Sequence, residues 1–452
     1  LQIHCMTRVA IKYLIIFSLV VLFLLVEYVH FIQKESKQFK VRKKFIPTSN
    51  HSSIYIYRAY YDDRSVKGTI RIFQLSKCFV SSDSFVLRYS GKVFPLSIQP
   101  VEGSCPWSWA PNCEWNAHQI QSPKINGVIP KKVSITFNND QQIEVVVERR
   151  PRMKKDRLQV CVPPLYWYHD WTRMILFFEL WKNHSPTFII YANSYSRNVE
   201  KVLKYYQNKG VVQIINWPIL ERSDDGADPN LGVYRLSHSL AHNDCVMRME
   251  TEYGVLLDID EYIHIPENTT LLEFAKREFA IDPKLGSLLF WHSGLKNMND
   301  SLDGISGSVL VNATGPGKTL FKPDNVMFLS THWVLSHSRY GLKRKKIPRE
   351  EALLLHNRVR FRGDQLKDAI EEELTDLDLV AIQRKVKATA REIFGKELPQ
   401  HNTNVSLVMD KCDASWRSQG CKVPLLHCKK ELEEMDEWVF LPPSEDSHYT
   451  IM

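Results

Sequence analysis

The chain has no internal repeat and no low-complexity tract, which excludes a solenoid and a disordered scaffold. It lacks the spacing of paired zinc knuckles, since Cys412, Cys421 and Cys428 have no fourth ligand nearby. Outside its first 44 residues it has almost no net charge. Those residues carry eight Lys/Arg against two acidic residues, leaving 51 basic against 49 acidic over the rest of a chain whose total is +8. The body therefore shows no electrostatic footprint of nucleic-acid binding. No small-residue cleavage site follows its one long apolar run, which disfavours a cleaved signal peptide.

What is present begins with that run, Tyr13–Val26, extendable across Glu27 to Ile32. With Lys12 snorkelling and Tyr28 and Phe31 at the far end, it reaches bilayer length. We read residues 1–8 as a cytosolic tail, 9–32 as a transmembrane signal-anchor and 33–52 as a stem. More basic residues follow the segment than precede it, contrary to the positive-inside rule. The body is expected to be lumenal, because sequons occur at Asn50, Asn183, Asn268, Asn299, Asn312 and Asn404. Eight of the nine cysteines lie beyond the anchor, an even number that suits disulfides in an oxidising compartment. Cys105 and Cys113 are expected to staple their own loop, and the Cys412–Cys428 tail to be disulfide-tied.

The chain is organised around Tyr253-Gly-Val-Leu-Leu-Asp-Ile-Asp-Glu-Tyr-Ile263. Val255, Leu256 and Leu257 read as a buried parallel strand running into Asp258, Asp260 and Glu261. Buried carboxylates two residues apart repel one another and need a positive partner, for which a divalent cation is the natural candidate. A solvated turn is the bland alternative.

Residues 53–150 alternate in short β-rich runs and predict an accessory domain, an antiparallel sheet or small sandwich. After Arg149-Arg-Pro-Arg152 the rhythm becomes β-α-β. Strands are expected at 158–162, 187–191 and 211–215, with helices over 171–182, 198–209 and 237–252. That places Asp258 at the end of roughly the fourth strand of an α/β, mostly parallel sheet. A helix over 270–279 and a strand over 285–291 follow. The glycines from Gly304 to Gly317 suit a mobile loop, and 365–394 one or two amphipathic helices. His332 and His356, near later strand ends, are candidate imidazole ligands for Mn²⁺.

In order along residues 155–395 stand Val160-Cys-Val-Pro-Pro164, Phe178-Glu-Leu-Trp181, Asn216-Trp217, His242-Asn-Asp-Cys245 and Leu257-Asp-Ile-Asp-Glu-Tyr262. Lys318-Thr-Leu-Phe-Lys-Pro323, His332 and His356-Asn-Arg358 complete the series. Together they resemble glycosyltransferase family 92, with Asn357 where the family pattern has Tyr. The resemblance implies a GT-A fold over 155–395 and a single-pass type II Golgi membrane enzyme; the cysteine-containing tail over 396–452 lies outside it. It implies transfer of a sugar, galactose in characterised members, from a UDP-sugar to a glycan or glycoprotein acceptor with inversion. Asp258 and Asp260 would hold Mn²⁺, with His332 or His356 completing the set. Lys318, Lys322 or Arg358 would meet the diphosphate. Asp300 or Asp303 would be the base, with Glu261 a further candidate better suited to packing. The rivals are an inactive glycan-binding member and a haloacid-dehalogenase-type phosphatase. Against the phosphatase, Tyr262 stands where its motif has Thr or Val.

Overall fold

The computed structural model describes residues 54–451 apart from 65–67, 79–84, 106–109, 111, 126–127, 138–140, 224, 267–268, 298–300, 312, 314, 360–370, 373, 375, 416–420, 422, 424–426 and 445–448. The expected anchor and stem, the sequons Asn50, Asn268, Asn299 and Asn312, and the candidate base Asp300 lie outside the described residues. Among those described, no helix is long and apolar enough to cross a membrane.

The β-α-β rhythm produces the expected parallel core. Strands β1 (Lys154–Leu165), β2 (Thr187–Ala192), β3 (Val212–Asn216) and β4 (Thr251–Leu256) pair in parallel. Helices α1 (Trp171–Trp181), α2 (Arg197–Asn208) and α3 (His238–Arg248) connect them. The last eight residues of β1 are all buried, as a strand covered on both faces requires. Later chain adds β5 (Leu285–Phe290), β6 (Lys318–Phe321) and β7 (Lys343–Lys346). The spatial order is β3-β2-β1-β4-β6-β5-β7, with β6 antiparallel to both neighbours. Asp258 follows the fourth strand in chain order.

Local chemistry sets the helix ends. The Asp170 side chain caps α1 at the Arg173 amide (2.9 Å), and Ser196 caps α2. Gly210 ends the α2 region at φ +70°, a conformation glycine adopts without strain. Helix α1 is buried almost all round rather than along one face, because a later helix α4 (Leu379–Phe394) packs on it. The acidic run before α4 is not helical: Glu371–Glu372 forms a short strand. Helix α3 ends four residues earlier than the pattern predicts, since Thr251 already belongs to β4.

A second, five-stranded sheet runs in the order Glu261–His264, Leu353–Arg358, His292–Lys296, Val309–Val311, Glu371–Glu372. Part of the expected Gly304–Gly317 loop is therefore sheet. The apolar triplet Val309–Val311 pairs antiparallel with His292–Lys296. Gly317 is needed for close approach, since a Cβ there would lie 2.1 Å from the Phe290 carbonyl oxygen.

Eight strands of the N-terminal region and the C-terminal Thr450–Ile451 form a nine-stranded, largely antiparallel sheet, with one parallel pairing between Tyr55–Asp62 and Gln141–Arg149. Its two ends, Lys92–Pro95 and Ser97–Pro100, are joined by Leu96 alone, so the sheet curls around its own apolar core. The cysteine pairing differs from the expectation for the Cys105–Cys113 loop. Cys105 bonds to Cys78, whose Cα the sheet places 5.4 Å away, and Cys113 bonds to Cys421. Cys161–Cys245 ties β1 to α3, and Cys412–Cys428 ties the tail.

One buried carboxylate fastens the two regions. Asp244 on α3 accepts from Tyr60 Oη (2.5 Å) in the N-terminal sheet, Tyr191 Oη (2.6 Å) on β2, and Arg248 Nε (2.6 Å). Removing it strands a guanidinium and two hydroxyls. Asp244→Ala should lower unfolding free energy in urea by about 3–5 kcal/mol; a loss under about 1 kcal/mol would refute the latch.

Candidate active site at the Asp258–Asp260 turn

The amide of Leu257 still donates to Cys161 on β1 (3.1 Å), continuing the parallel sheet one residue past β4. A turn then closes, with the Glu261 amide donating to the Asp258 carbonyl at 3.1 Å, and passes the chain to the second sheet. The Glu261 carboxylate accepts from the Asp258 amide at 2.7 Å, which braces the turn from inside. Asp258 thereby faces β6, and Asp260 faces the strand Leu353–Arg358.

Lys318 opens β6 and is essentially inaccessible, its side chain 1% exposed. Its ammonium donates to Asp258 Oδ2 (2.9 Å) and the Thr331 carbonyl (3.2 Å), and lies 3.5 Å from Glu261 Oε2. Burial would raise the Asp258 pKa, but Lys318 more than offsets this and holds it below the carboxylate range. Burial pushes Glu261 up to about 8 against the pull of Lys318, with Asp258 and Asp260 adding repulsion. Asp260 is held well below its usual value, its burial outweighed by His356 and Arg358. His356 Nε2 lies 2.8 Å and Arg358 Nε 3.3 Å from Asp260 Oδ2.

His332 occupies the turn of the hairpin Val326–Leu329/Val334–His337, where Ser330 Oγ accepts the amides of His332 (3.2 Å) and Trp333 (3.1 Å). Burial, reinforced by Lys318, pushes its imidazole down to about 3. Its Nδ1 is buried without a hydrogen-bond partner.

Two expected residues stand elsewhere. Lys322 pairs with Glu252 (2.9 Å) and lies over the Tyr253 and Phe279 rings, at the opposite end of β4 from Asp258. Asp303 is exposed and ion-paired to Lys387 on α4. Register explains the first: β6 runs antiparallel to β4, so four residues carry the chain from Asp258 back past Tyr253. For Asp303, nothing in its polar sequence neighbourhood separates a surface helix cap from an active-site acid.

The structure adds residues to which the sequence reading gave no role, although His242 stood in one of the motifs it quoted. His238 and His242 lie one turn apart on α3, with ring centroids 6.1 Å apart, and both feel Asp258 and Lys318. Both His242 nitrogens are buried without a partner. Their i, i+4 spacing was the available signal. Immediately before them Arg235, Leu236 and Ser237 all have positive φ (46°, 50° and 63°), three consecutive non-glycine residues in a conformation costing roughly 1–2 kcal/mol each. Glu102, from the N-terminal region, accepts from the Thr331 amide (3.3 Å) and hydroxyl (3.4 Å). Burial raises its pKa, with Arg235 and Lys318 pulling the other way.

Two carboxylates with imidazoles at hand suit Mn²⁺ in kind, and the unpartnered His332 Nδ1 is a free donor. Among the described residues no three such groups converge into a cluster. Asp258 is engaged by Lys318, and Asp260 by His356 and Arg358.

The family model for glycosyltransferase family 92 matches residues 156–389, which contain the turn, Lys318, His332 and His356. The chain belongs to glycosyltransferase family 92. A curated relative, a family 92 protein named F13G3.3 from Caenorhabditis elegans, is 24% identical over 156 residues. That alignment covers 33% of this chain and 30% of the relative's own length. Among solved structures, S. aureus TarS 1–349 is similar at 14% identity and a TM-score of 0.27, over 44% of this chain and 60% of that one. Glucosyl-3-phosphoglycerate synthase from Mycobacterium tuberculosis, complexed with Mn²⁺, UDP and glucosyl-3-phosphoglycerate, gives 10% identity and a TM-score of 0.25, over 54% of this chain and 82% of that one. Overlaps that low establish neither fold nor ligand.

Lys318 is the cation on which the family 92 turn rests. Lys318→Met leaves the buried Glu261 and the part-exposed Asp258 without their ammonium and should destabilise the protein by about 1–3 kcal/mol in urea unfolding. A change under about 1 kcal/mol would mean that Asp258 and Glu261 are balanced otherwise.

Proposed function

We propose that this family 92 member is a metal-dependent, inverting glycosyltransferase of GT-A type that moves galactose from UDP-galactose to a glycan or glycoprotein acceptor. The observation that carries the reading is the Asp258–Asp260 turn. It stands at the carboxyl end of β4, where open α/β sheets receive ligands, and is flanked by the buried Lys318 and the part-exposed Arg358. Asp258 and Asp260, with His356 or His332, would hold Mn²⁺. When bound, the ion supplies Lewis-acid stabilisation of the departing diphosphate. Arg358, 35% exposed at its side chain, is placed to meet diphosphate charge, whereas Lys318 serves by keeping Asp258 ionised.

Inversion in one displacement requires a carboxylate that takes the acceptor hydroxyl proton as the oxygen bonds to the sugar and the diphosphate leaves. Glu261 is unsuited, because it is buried beneath the turn with a pKa pushed up to about 8. Asp303 is unsuited because it is tied to Lys387 at the surface. We therefore keep Asp300 as the proposed base.

A Golgi location, with residues 9–32 as the anchor and the body lumenal, is supported by the sequons and by four disulfides among the described residues. A glycan-binding protein without turnover is the second reading, and the same experiment separates the two.

The test is UDP release by the purified protein from a panel of UDP-sugars with glycan acceptors, in Mn²⁺ or EDTA. UDP-galactose should be turned over only with the metal, and Asp258→Asn/Asp260→Asn should lose at least about 100-fold. No turnover together with no calorimetric binding of UDP and Mn²⁺ sinks the transferase reading; binding alone favours the glycan-binding one. In the same assay Asp300→Asn should cost about 100-fold or more in kcat, the usual scale of general-base catalysis. Asp303→Asn should stay within about twofold. A fully active Asp300→Asn variant would remove that assignment.

A further inference from the structure

Strand β7, Lys343-Arg-Lys-Lys346, places four consecutive cations on the edge of the central sheet. Alternation divides them between two faces. Lys343 pairs with Asp282 (2.8 Å) and Lys345 with Glu278 on the helix Leu271–Ile281, so that row is neutralised within the fold. Arg344 and Lys346, on the other face, are exposed and have no acidic partner among the described residues. Each lies over an indole instead. Arg344 Cζ is 5.6 Å from the Trp333 ring centroid, and Lys346 Nζ is 5.1 Å from that of Trp291.

Both indoles are open to solvent, each residue 37% exposed. Both are also rooted beside the Asp258–Asp260 turn. Trp291 follows Phe290, which pairs with Lys318 across β5 and β6. Trp333 stands two residues past Thr331, whose carbonyl accepts from Lys318. The parallel register of β5 and β7 puts Arg344 opposite Ser287 and Lys346 opposite Leu289. The stripe of cations and indoles therefore runs along the sheet edge towards the ligand-receiving end.

Lysines on an edge strand discourage pairing with another sheet, which accounts for charge at this position. It does not account for two open tryptophans, which favour association instead. An indole that holds a cation in place offers apolar surface and positive charge side by side. A sugar ring turns its C–H faces to the first, and an acidic group on that sugar turns a carboxylate to the second.

We infer that this stripe receives an acidic glycan, the acceptor of the transfer proposed above, through Trp291, Trp333, Arg344 and Lys346. It rests on the transferase reading, but the binding itself needs neither donor nor turnover.

The test is calorimetric titration of glycans into the purified protein: a sialylated N-glycan and a glucuronate oligosaccharide, each beside its neutral counterpart. The acidic form of one pair should bind at least about 10-fold more tightly than its neutral form, the scale of one hydrogen bond to a charged group. Which pair responds names the acid. Arg344→Ala/Lys346→Ala should remove that preference, and Trp291→Ala/Trp333→Ala should weaken both forms of the pair. Lys343→Ala, on the opposite face, should bind as the wild type does. Acidic and neutral forms bound alike, or not at all, overturn the inference. So does a loss in Lys343→Ala equal to that of the double cation variant, or binding to phosphatidylserine vesicles in place of any glycan. A wild type that releases no UDP from any UDP-sugar yet keeps the acid preference retains this glycan site and loses the transferase reading.

Discussion

Three carboxylates within four residues, Glu261 buried, Asp260 nearly so and Asp258 32% exposed at its side chain, are the constraint on which the rest of this structure depends. Asp258, Asp260 and Glu261 could not be held this close together unless compensated, because each would repel the others where water screens poorly. The compensation is divided by direction. Lys318 reaches Asp258 and Glu261 from the central sheet, while Arg358 and His356 reach Asp260 from the second sheet. The turn is therefore a junction between the two sheets, and its charges hold them at a fixed spacing. Glu261 ends farther from Lys318 than Asp258 does, 3.5 Å against 2.9 Å, and it is the one whose pKa rises. A proton near neutral pH relieves the surplus negative charge there, so Glu261 serves as a brace.

Much of this was legible in the sequence, for physical reasons that can be named. Continuous apolar runs gave β1, β2 and β4 because strands covered on both faces have no polar side to mark. The limits of α2 followed Ser196 and Gly210, whose backbone chemistry is local. Asp258 and Asp260 stood out because acidic residues directly after a buried strand conflict with burial. Long-range geometry was not legible. Lys318 read as a surface lysine or a diphosphate contact, and only the antiparallel placement of β6 shows it sealed beneath the turn. Cys105 and Cys113 are neighbours in the chain, yet each finds its partner through sheet pairing or the returning tail. The triplet Val309–Val311 was too short, among glycines, to declare itself a strand. His292 carried no pattern at all, since only the register of its strand brings it within 2.8 Å of His356.

The family 92 match begins at residue 156, yet the preceding sheet is not a bystander. Asp62 bonds to both Arg64 (2.7 Å) and Arg71 (2.6 Å). Those arginines donate across to the Pro323 carbonyl (2.9 Å) and the Met327 carbonyl (3.1 Å), at the base of the hairpin that carries His332. Desolvating two guanidiniums is expensive, and the shared Asp62 with the hairpin carbonyls meets most of that expense. The hairpin is consequently fixed at its root by the N-terminal region.

Its tip is fixed by opposite charges acting through a single residue. The Thr331 carbonyl accepts from Lys318, on the central sheet, while the Thr331 amide and hydroxyl donate to Glu102, from the N-terminal region. A cation on the carbonyl side and a carboxylate on the amide side each strengthen the hydrogen bond they make, because the polarity of the backbone matches both. The residue next to Thr331 is His332. Its position therefore depends on Lys318 and Glu102 together, and Lys318 in turn on Asp258. A cation that drew Asp258 away from Lys318 would act on the hairpin as well as on the turn. The N-terminal region, through Glu102, would still hold Thr331 beside His332 in such an exchange.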